Sequence, residues 1–504
     1  MPIINSILSW FVTKRKYQID FFKQYPIEVQ NDTLYKLILE GRDTAFGEDH
    51  GFDSIENYRQ FAAQIPIRDY PALKPSLDRA MKGEADVLWP GEVKWFAKSS
   101  GTTGDKSKFI PVTRDNIEDC HFQGGKDTLI FYFDNYPDNE LLSGKTLTIG
   151  GSHQVSDINP ESSFGDVSAV LLQNLPIYAH WIRTPDLSVA LMNEWEEKLS
   201  RMSEITCTEN VTSLAGVPSW TLVLLKKILE KTGKSTIAEV WPNLEVFLHG
   251  GVSFTPYRSQ FEKIIGSEKV KYMETYNASE GFFGIQDDPA NPDMLLMLDY
   301  GVFFEFIPME EIESSEPKAI TLADAEIGKN YAMVISTTGG LWRYLIGDTI
   351  MFSSLQPVKF RITGRTKHFI NAFGEELIVD NAEFALHKAC LGTNAEISDY
   401  TAAPVFMGEG AKARHQWLIE FSRLPDNLDF FTELLDNALK AANSDYEAKR
   451  YKSLALHTPE VISLKTGTFY EWLKMKGHLG GQHKVPRLSN DRKIVEEILQ
   501  IINR

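Results

Sequence analysis

The chain has 504 residues, 43% of them hydrophobic, and a mean hydropathy of -0.24; this balance excludes a disordered or fibrous chain and leaves room for a large core shared among roughly two to four domains. A formal net charge of -17 and a pI near 5.2 argue against a nucleic-acid partner, because such binders concentrate positive charge to displace counterions; a local basic strip is still compatible with these values. Cys120, Cys207 and Cys390 are widely spaced and odd in number, which gives neither a disulfide framework nor a zinc signature and fits inert thiols in a reducing, cytoplasmic compartment.

The first element, MPIINSILSWFVTKRKYQIDFFKQYP, contains an apolar stretch too short to span a bilayer, with its basic residues after the stretch instead of before it. It reads as an amphipathic helix whose Ile4, Ile7, Leu8 and Phe11 share one face and pack on the body of the protein.

Next comes FAKSSGTTGDKSKFIPVT, residues 96–113, which gathers six Ser or Thr, two Gly and three Lys between apolar flanks. Glycines let the backbone approach an anion, hydroxyls and N–H groups donate to phosphate oxygens, and lysines add charge, so a polyphosphate is the natural guest. The spacing is not that of a P-loop, because Asp105, Lys106 and Ser107 follow Gly104 where Lys-Ser/Thr should. A plain polar surface loop is the competing reading.

The stretches NIEDCHFQGGKDTLIFYF and SLAGVPSW offer Phe122, Phe131 and Val217 as walls of an apolar slot, with core packing as the alternative for each. TLVLLKKILEKTG, Thr221 to Gly233, is a helix with a glycine stop. LEVFLHGG and VKYMETYN read as short buried strands that end in loops, and this alternation favours an α/β architecture with its site at the carboxyl ends of strands. His249 is expected to be a hydrogen-bonded core histidine.

TYNASEG, Thr275 to Gly281, follows the second strand and supplies a ring able to cover a purine and, in Glu280, a hard oxygen ligand suited to magnesium. GLWRYLIGDT ends an apolar strand in Gly347 and Asp348, a carboxylate placed to accept from ribose hydroxyls or a simple turn residue. ITGRTKHFINAFGEELIVDN, Ile362 to Asn381, reads as a joint, and HQWLIEF and VISLKT then alternate with helical stretches around 428–442 and 469–475. They predict a smaller α+β domain.

In their order, Ser99-Ser100-Gly101-Thr102-Thr103, Tyr276 to Glu280, Arg343 to Asp348 and Gly364-Arg365 resemble the signatures of the adenylate-forming superfamily. With GLWRYLIGDT and the terminal GQHKVPR, Gly481 to Arg487, the resemblance narrows to the acyl acid amido synthetases first known as the auxin-responsive Gretchen Hagen proteins of plants, here of a bacterial type. It runs from about Phe96 to Arg487. The chain departs from the plant members in being shorter, and its GRTKHFINAFGEEL is closer to the hinge of acyl-coenzyme A ligases.

The resemblance implies an α/β fold: a large N-terminal adenylate-forming domain of mixed sheets and helices over 1–364, binding ATP and acyl acid, and a smaller mobile α+β lid over 365–504. It implies that a carboxylate attacks the α-phosphate of ATP to give acyl-AMP and pyrophosphate, after which an amino acid amine displaces AMP. Ser99, Ser100, Gly101, Thr102 and Thr103 would hold phosphates with Lys108 adding charge, and Glu280 would hold magnesium. Tyr276 would flank adenine above Gly250 and Gly251, with Asn277 and Ser279 adding polar contacts. Asp348 would bind ribose and Arg365 ribose or phosphate; Lys367 would be the hinge. Lys484 would be the catalytic lysine delivered by the lid, unless it is only a solvated lysine before a proline turn. Two other readings compete: transfer to coenzyme A, and nucleotide or acyl-acid binding without turnover.

Overall fold

The computed structural model describes residues 2–502 except 100–107, 152, 156–161, 193, 252–253, 256, 313, 315, 367–368, 371–376, 406–412, 444–445, 448–449, 451–455, 478–483 and 490–491. The opening helix runs Pro2–Gln24, and Ile19 and Phe22 are buried on the body of the protein. The side chains of Ile4, Ile7, Leu8 and Phe11 lie outside the described residues.

An eleven-stranded sheet forms the frame. From one edge, Arg183–Thr184, Lys145–Thr148, Val211–Gly216, Val246–Gly250 and Lys271–Ala278 run parallel. Parallel order places all their carboxyl ends on one side of the sheet, where sites of α/β proteins form. The helix Pro218–Thr232 connects two of these strands, starting on a proline at its first position and stopping at Gly233 in the left-handed conformation.

The other half is antiparallel. Gly281–Ile285, Met294–Leu296, Val358–Arg365, Tyr344–Leu355, Asn330–Thr337 and Val302–Pro308 follow in spatial order. A four-stranded sheet containing Trp95–Ser99 and Lys108–Val112 packs beside it.

Beyond Arg365 the chain builds the helix Val379–Thr393 and a three-stranded sheet of Glu396–Val405, Arg414–Arg423 and Glu460–Leu464, with helices Leu428–Ala442 and Thr468–Met475. These elements have hydrophobic clusters of their own, one centred on Trp417, Phe431 and Leu435, another on Phe469, Trp472 and Ile498. Polar contacts join them to the larger sheet region: Gln260 Nε2 donates to the Ile397 carbonyl at 2.9 Å, and Tyr470 and Lys474 both reach Glu196.

Candidate active site

The carboxyl ends of the parallel strands open into a cavity of about 1210 Å³. Four strand ends contribute to it: Thr148 to Gly151, Ala215 to Val217, Leu248 to Gly251, and Glu274 to Glu280. From the chain beyond the large sheet come one face of the helix Val379–Thr393, through Glu383 and His387, and the segment Lys484 to Arg487.

Two glycines give this wall its shape. A Cβ on Gly250 would fall 2.3 Å from the Thr275 carbonyl oxygen, so only glycine lets the neighbouring strand come this close. Gly251 has φ +80, and a Cβ there would lie 3.3 Å from Lys484 Nζ. The lysine therefore reaches from the carboxyl-terminal segment to the end of the Val246–Gly250 strand.

Asp348 and Arg365 face each other by strand register, since Tyr344–Leu355 pairs with Val358–Arg365 so that these two residues are partners. Arg365 Nε lies 2.7 Å from Asp348 Oδ1, and the Tyr276 hydroxyl donates to Oδ2. The Asp348 charge holds the Arg365 guanidinium firmly protonated, and burial together with that same carboxylate raises Tyr276 well above its ordinary value. The Tyr276 ring is buried, edge-on to Phe283 at 5.0 Å between centroids.

Glu280 sits in a two-residue hairpin, because Ala278 pairs with Gly281 and leaves only Ser279 and Glu280 in the turn. Burial pushes its carboxyl up to about 6, against the pull of Lys108 and with a further push from Asp348. Lys108 is not a lining residue; its Nζ lies 3.5 Å from the Tyr344 hydroxyl. Lys484 is lowered to about 7, chiefly by desolvation and then by the positive charge of Arg365.

Apart from Lys108, the residues expected from the sequence thus divide into three groups. Phe122, Val217, Gly250, Gly251, Tyr276, Asn277, Ser279, Glu280, Asp348, Arg365 and Lys484 share the cavity. Ser100, Gly101, Thr102, Thr103 and Lys367 lie outside the described residues, as does the side chain of Ser99. Phe131 is a correction: it packs in the core, with Lys23 Nζ 5.4 Å from its ring centroid, and lines no part of the cavity.

His249 is buried and lines the cavity, but among the described residues neither ring nitrogen has the expected hydrogen-bond partner, and the ring stacks on Phe254 at 4.1 Å. Desolvation lowers it to about 3, so it is a neutral aromatic wall.

Several groups were not anticipated. His121 Nδ1 lies 3.0 Å from Asn277 Oδ1 and so fixes a residue of the turn strand. Arg487 pairs with Asp399, lies 3.2 Å from the Tyr257 hydroxyl, and places its guanidinium 4.7 Å over the Tyr400 ring. Glu383, which accepts from the Tyr400 hydroxyl at 2.9 Å, is raised by burial to about 7. Arg487 was already within the GQHKVPR stretch, and Glu383 and His387 show the four-residue spacing of one helix face.

Chemically, the site offers cations around a space that ends in backbone glycines, one buried carboxylate held apart from them, and a carboxylate oriented by a phenol and a guanidinium. Such a set suits charge development on phosphate oxygens. Among the described residues no group of three His, Cys, Asp or Glu could hold a metal, and no helix is long and apolar enough to cross a membrane.

Comparison with known proteins agrees with this geometry. The chain matches the GH3 family N-terminal domain over residues 15–270, its central domain over 295–365 and its C-terminal domain over 380–493. It is 21% identical to an indole-3-acetic acid-amido synthetase of Arabidopsis thaliana over 96% of this chain and 92% of that one. It is 24% identical to a jasmonoyl-L-amino acid synthetase of Oryza sativa subsp. japonica, over 94% of each. Among solved structures, an acyl acid amido synthetase in complex with 2,4-DB superposes with a TM-score of 0.80 at 16% identity, covering 96% of this chain and 95% of that one. A 2-hydroxyisobutyryl-CoA ligase in its postadenylation state gives 0.61 at 12% identity, over 94% and 91%.

Proposed function

The chain belongs to the GH3 family, and from that premise we infer that it is an ATP-dependent acyl acid amido synthetase. A carboxylic acid attacks the α-phosphate of ATP, forming an acyl-phosphate bond and releasing pyrophosphate. The amine of an amino acid then attacks the acyl carbon, loses a proton, and displaces AMP. The observation that carries this reading is the convergence of Lys484, Arg365, Asp348 and Glu280 on one cavity that is also lined by apolar side chains such as Phe122, Val217 and Trp220.

In this reading Asp348 accepts from the ribose hydroxyls and Tyr276 flanks adenine above Gly250 and Gly251. Asn277 and Ser279 add polar contacts. Arg365 and Lys484 neutralise charge on the phosphates, joined by Lys108 and by the loop Ser99, Ser100, Gly101, Thr102 and Thr103. Glu280 is the carboxylate that would hold magnesium, which would neutralise phosphate charge when bound. Phe122 and Val217 border the acyl acid.

Residues 1–364 form the ATP- and acyl-acid-binding domain, and 365–504 a lid that pivots at Lys367 and brings Lys484 to the phosphates for adenylation. The setting is cytoplasmic. The two relatives named above with their organisms are plant enzymes, and they do not support the bacterial type that the sequence resemblance implied.

The test is pyrophosphate release with MgATP across a panel of acids, each with and without amino acids or coenzyme A. Acid-dependent release sustained by an amino acid, with the amide found by mass spectrometry, is the expected result. Turnover only with coenzyme A would make the chain a thioester ligase, and no release with any acid would leave binding without turnover.

A further inference from the structure

The cavity, about 1210 Å³, exceeds the roughly 1,000 Å³ upper range for a single drug-sized ligand, so it has room for more than a nucleotide. One side of its lining is largely apolar and is here termed the apolar arm. One wall is the helix Phe122–Asn135, which presents Phe122, Gly125 and Leu129 at helical spacing. A second comes from the helix Val167–Asn174 and the segment after it, through Leu171, Leu172 and Leu175. Among the described residues along these walls, charge is confined to Glu118 and Lys126, both exposed.

Gly125 is the informative residue. Glycine is the poorest helix former after proline, so one in a helix interior calls for a reason. Its neighbour Gly124 has one: a Cβ there would lie 2.4 Å from the Phe282 ring. A Cβ on Gly125 would meet no heavy atom within 4 Å. Gly125 is exposed and packing does not require the glycine; the missing side chain leaves the cavity wall open between Phe122 and Leu129.

The arm also continues outward. Leu175, Pro176, Ala179 and Ile182 line it, while Ile177 and Trp181 in the same segment are 77% and 75% exposed. The 175–182 segment thus carries both apolar residues that line the cavity and apolar residues exposed at the surface.

Building on the ligase reading above, we propose that the acyl acid is a medium- to long-chain fatty acid whose tail passes over Gly125 and leaves beneath the 174–182 segment. Its carboxylate sits at the Gly251 and Lys484 end. The neutral walls leave a second carboxylate or an ammonium on the tail without a buried partner, so the acid is monocarboxylic.

The experiment measures pyrophosphate release by the full chain with MgATP, for straight-chain acids from butanoate to hexadecanoate and for benzoate and indole-3-acetate. Each buried methylene should raise kcat/KM by about fourfold until the tail reaches solvent. Gly125→Leu and Gly125→Phe, which add volume where nothing clashes, should lower the dodecanoate-to-butanoate ratio of kcat/KM by about tenfold or more. Gly125→Ala, a better helix former, checks folding by its melting temperature. Benzoate or indole-3-acetate as the best acid, with no gain along the straight chains, would overturn the proposal while leaving the ligase reading intact; so would an unchanged ratio in Gly125→Phe. Absence of release with every acid would count against the ligase reading, and calorimetric titration of dodecanoate then decides the proposal. Saturable binding weakened by Gly125→Phe supports it, and no binding refutes it.

Discussion

The Tyr276 hydroxyl donates to Asp348 on the carboxylate oxygen opposite the one that Arg365 holds at 2.7 Å. Asp348 is thereby fixed on both oxygens, and each still has lone pairs to accept from a ligand hydroxyl. Replacing Tyr276 by Phe keeps the ring and its packing on Phe283 but frees one side of the carboxylate. A hydrogen bond to a charged group contributes ~1.5–3 kcal/mol, so Tyr276→Phe should raise KM for ATP by about tenfold or more, while KM for the acid stays near wild type. Initial rates with each substrate varied in turn will check this.

Glu280 and Lys484 carry opposite charges and opposite shifts, and together they set a pH window. Glu280, raised to about 6, is protonated as pH falls through that value and loses the charge needed to hold a cation. Lys484, lowered to about 7, is deprotonated as pH rises through that value and no longer offsets phosphate charge. The pH profile of kcat/KM for adenylation, which reports the free enzyme, should therefore be a narrow bell with limbs near those two values. Lys484→Arg, which stays charged, should move the alkaline limb upward.

Glu280→Ala should lower the adenylation rate by ~10²–10³-fold, and Glu280→Gln, which keeps the shape but not the charge, should do nearly as much damage. A magnesium titration separates the proposed role from a structural one. If Glu280 holds the ion, the variants need more magnesium for half-maximal rate; an unchanged requirement would remove that role.

Arg343 belongs to the GLWRYLIGDT stretch yet points away from the site. Its guanidinium forks onto Glu305, with Nη2 at 2.8 Å from Oε1, and Nη1 donates to the carbonyls of Ala62 and Ile65 at 2.9 and 2.6 Å. Both partners of the ion pair are buried. Removing one leaves an uncompensated charge, which costs ~3–5 kcal/mol. Arg343→Ala should lower the melting temperature sharply, and Arg343→Lys should recover only part of it because a lysine cannot make the fork. Differential scanning calorimetry tests both.

Arg343 also shows where the sequence is legible and where it is not. Its motif marks the right strand, but its direction is set by Glu305, which lies far away in sequence. The local pattern was enough for the strands Val246–Gly250 and Lys271–Ala278, short stretches that run into turn residues, and for the helix Pro218–Thr232 with its glycine stop. It could not show that Met294–Leu296, three residues with no period to read, is inserted between Gly281–Ile285 and Val358–Arg365. Phe131 failed for a reason that the sequence did contain: at about 100° per residue it stands on the opposite side of its helix from Phe122. Glu383, His387 and Arg487 were missed because only folding across the hinge region brings that part of the chain onto the strand ends.

Lys484 is the residue on which the two half-reactions should separate. Its Nζ lies beside Gly251, and its environment also includes Arg365 and Asp348. That position serves charge on the leaving pyrophosphate during adenylation, whereas the transfer step develops charge on the acyl oxygen and on the departing AMP. Lys484→Ala should therefore slow acid-dependent pyrophosphate release by ~10²–10³-fold, while conversion of chemically prepared acyl-AMP and amino acid to amide and AMP stays near the wild-type rate. Equal losses in both half-reactions would mean that Lys484 holds the closed arrangement together, and the wild-type pyrophosphate rate in Lys484→Ala would return it to the status of a solvated lysine before Pro486.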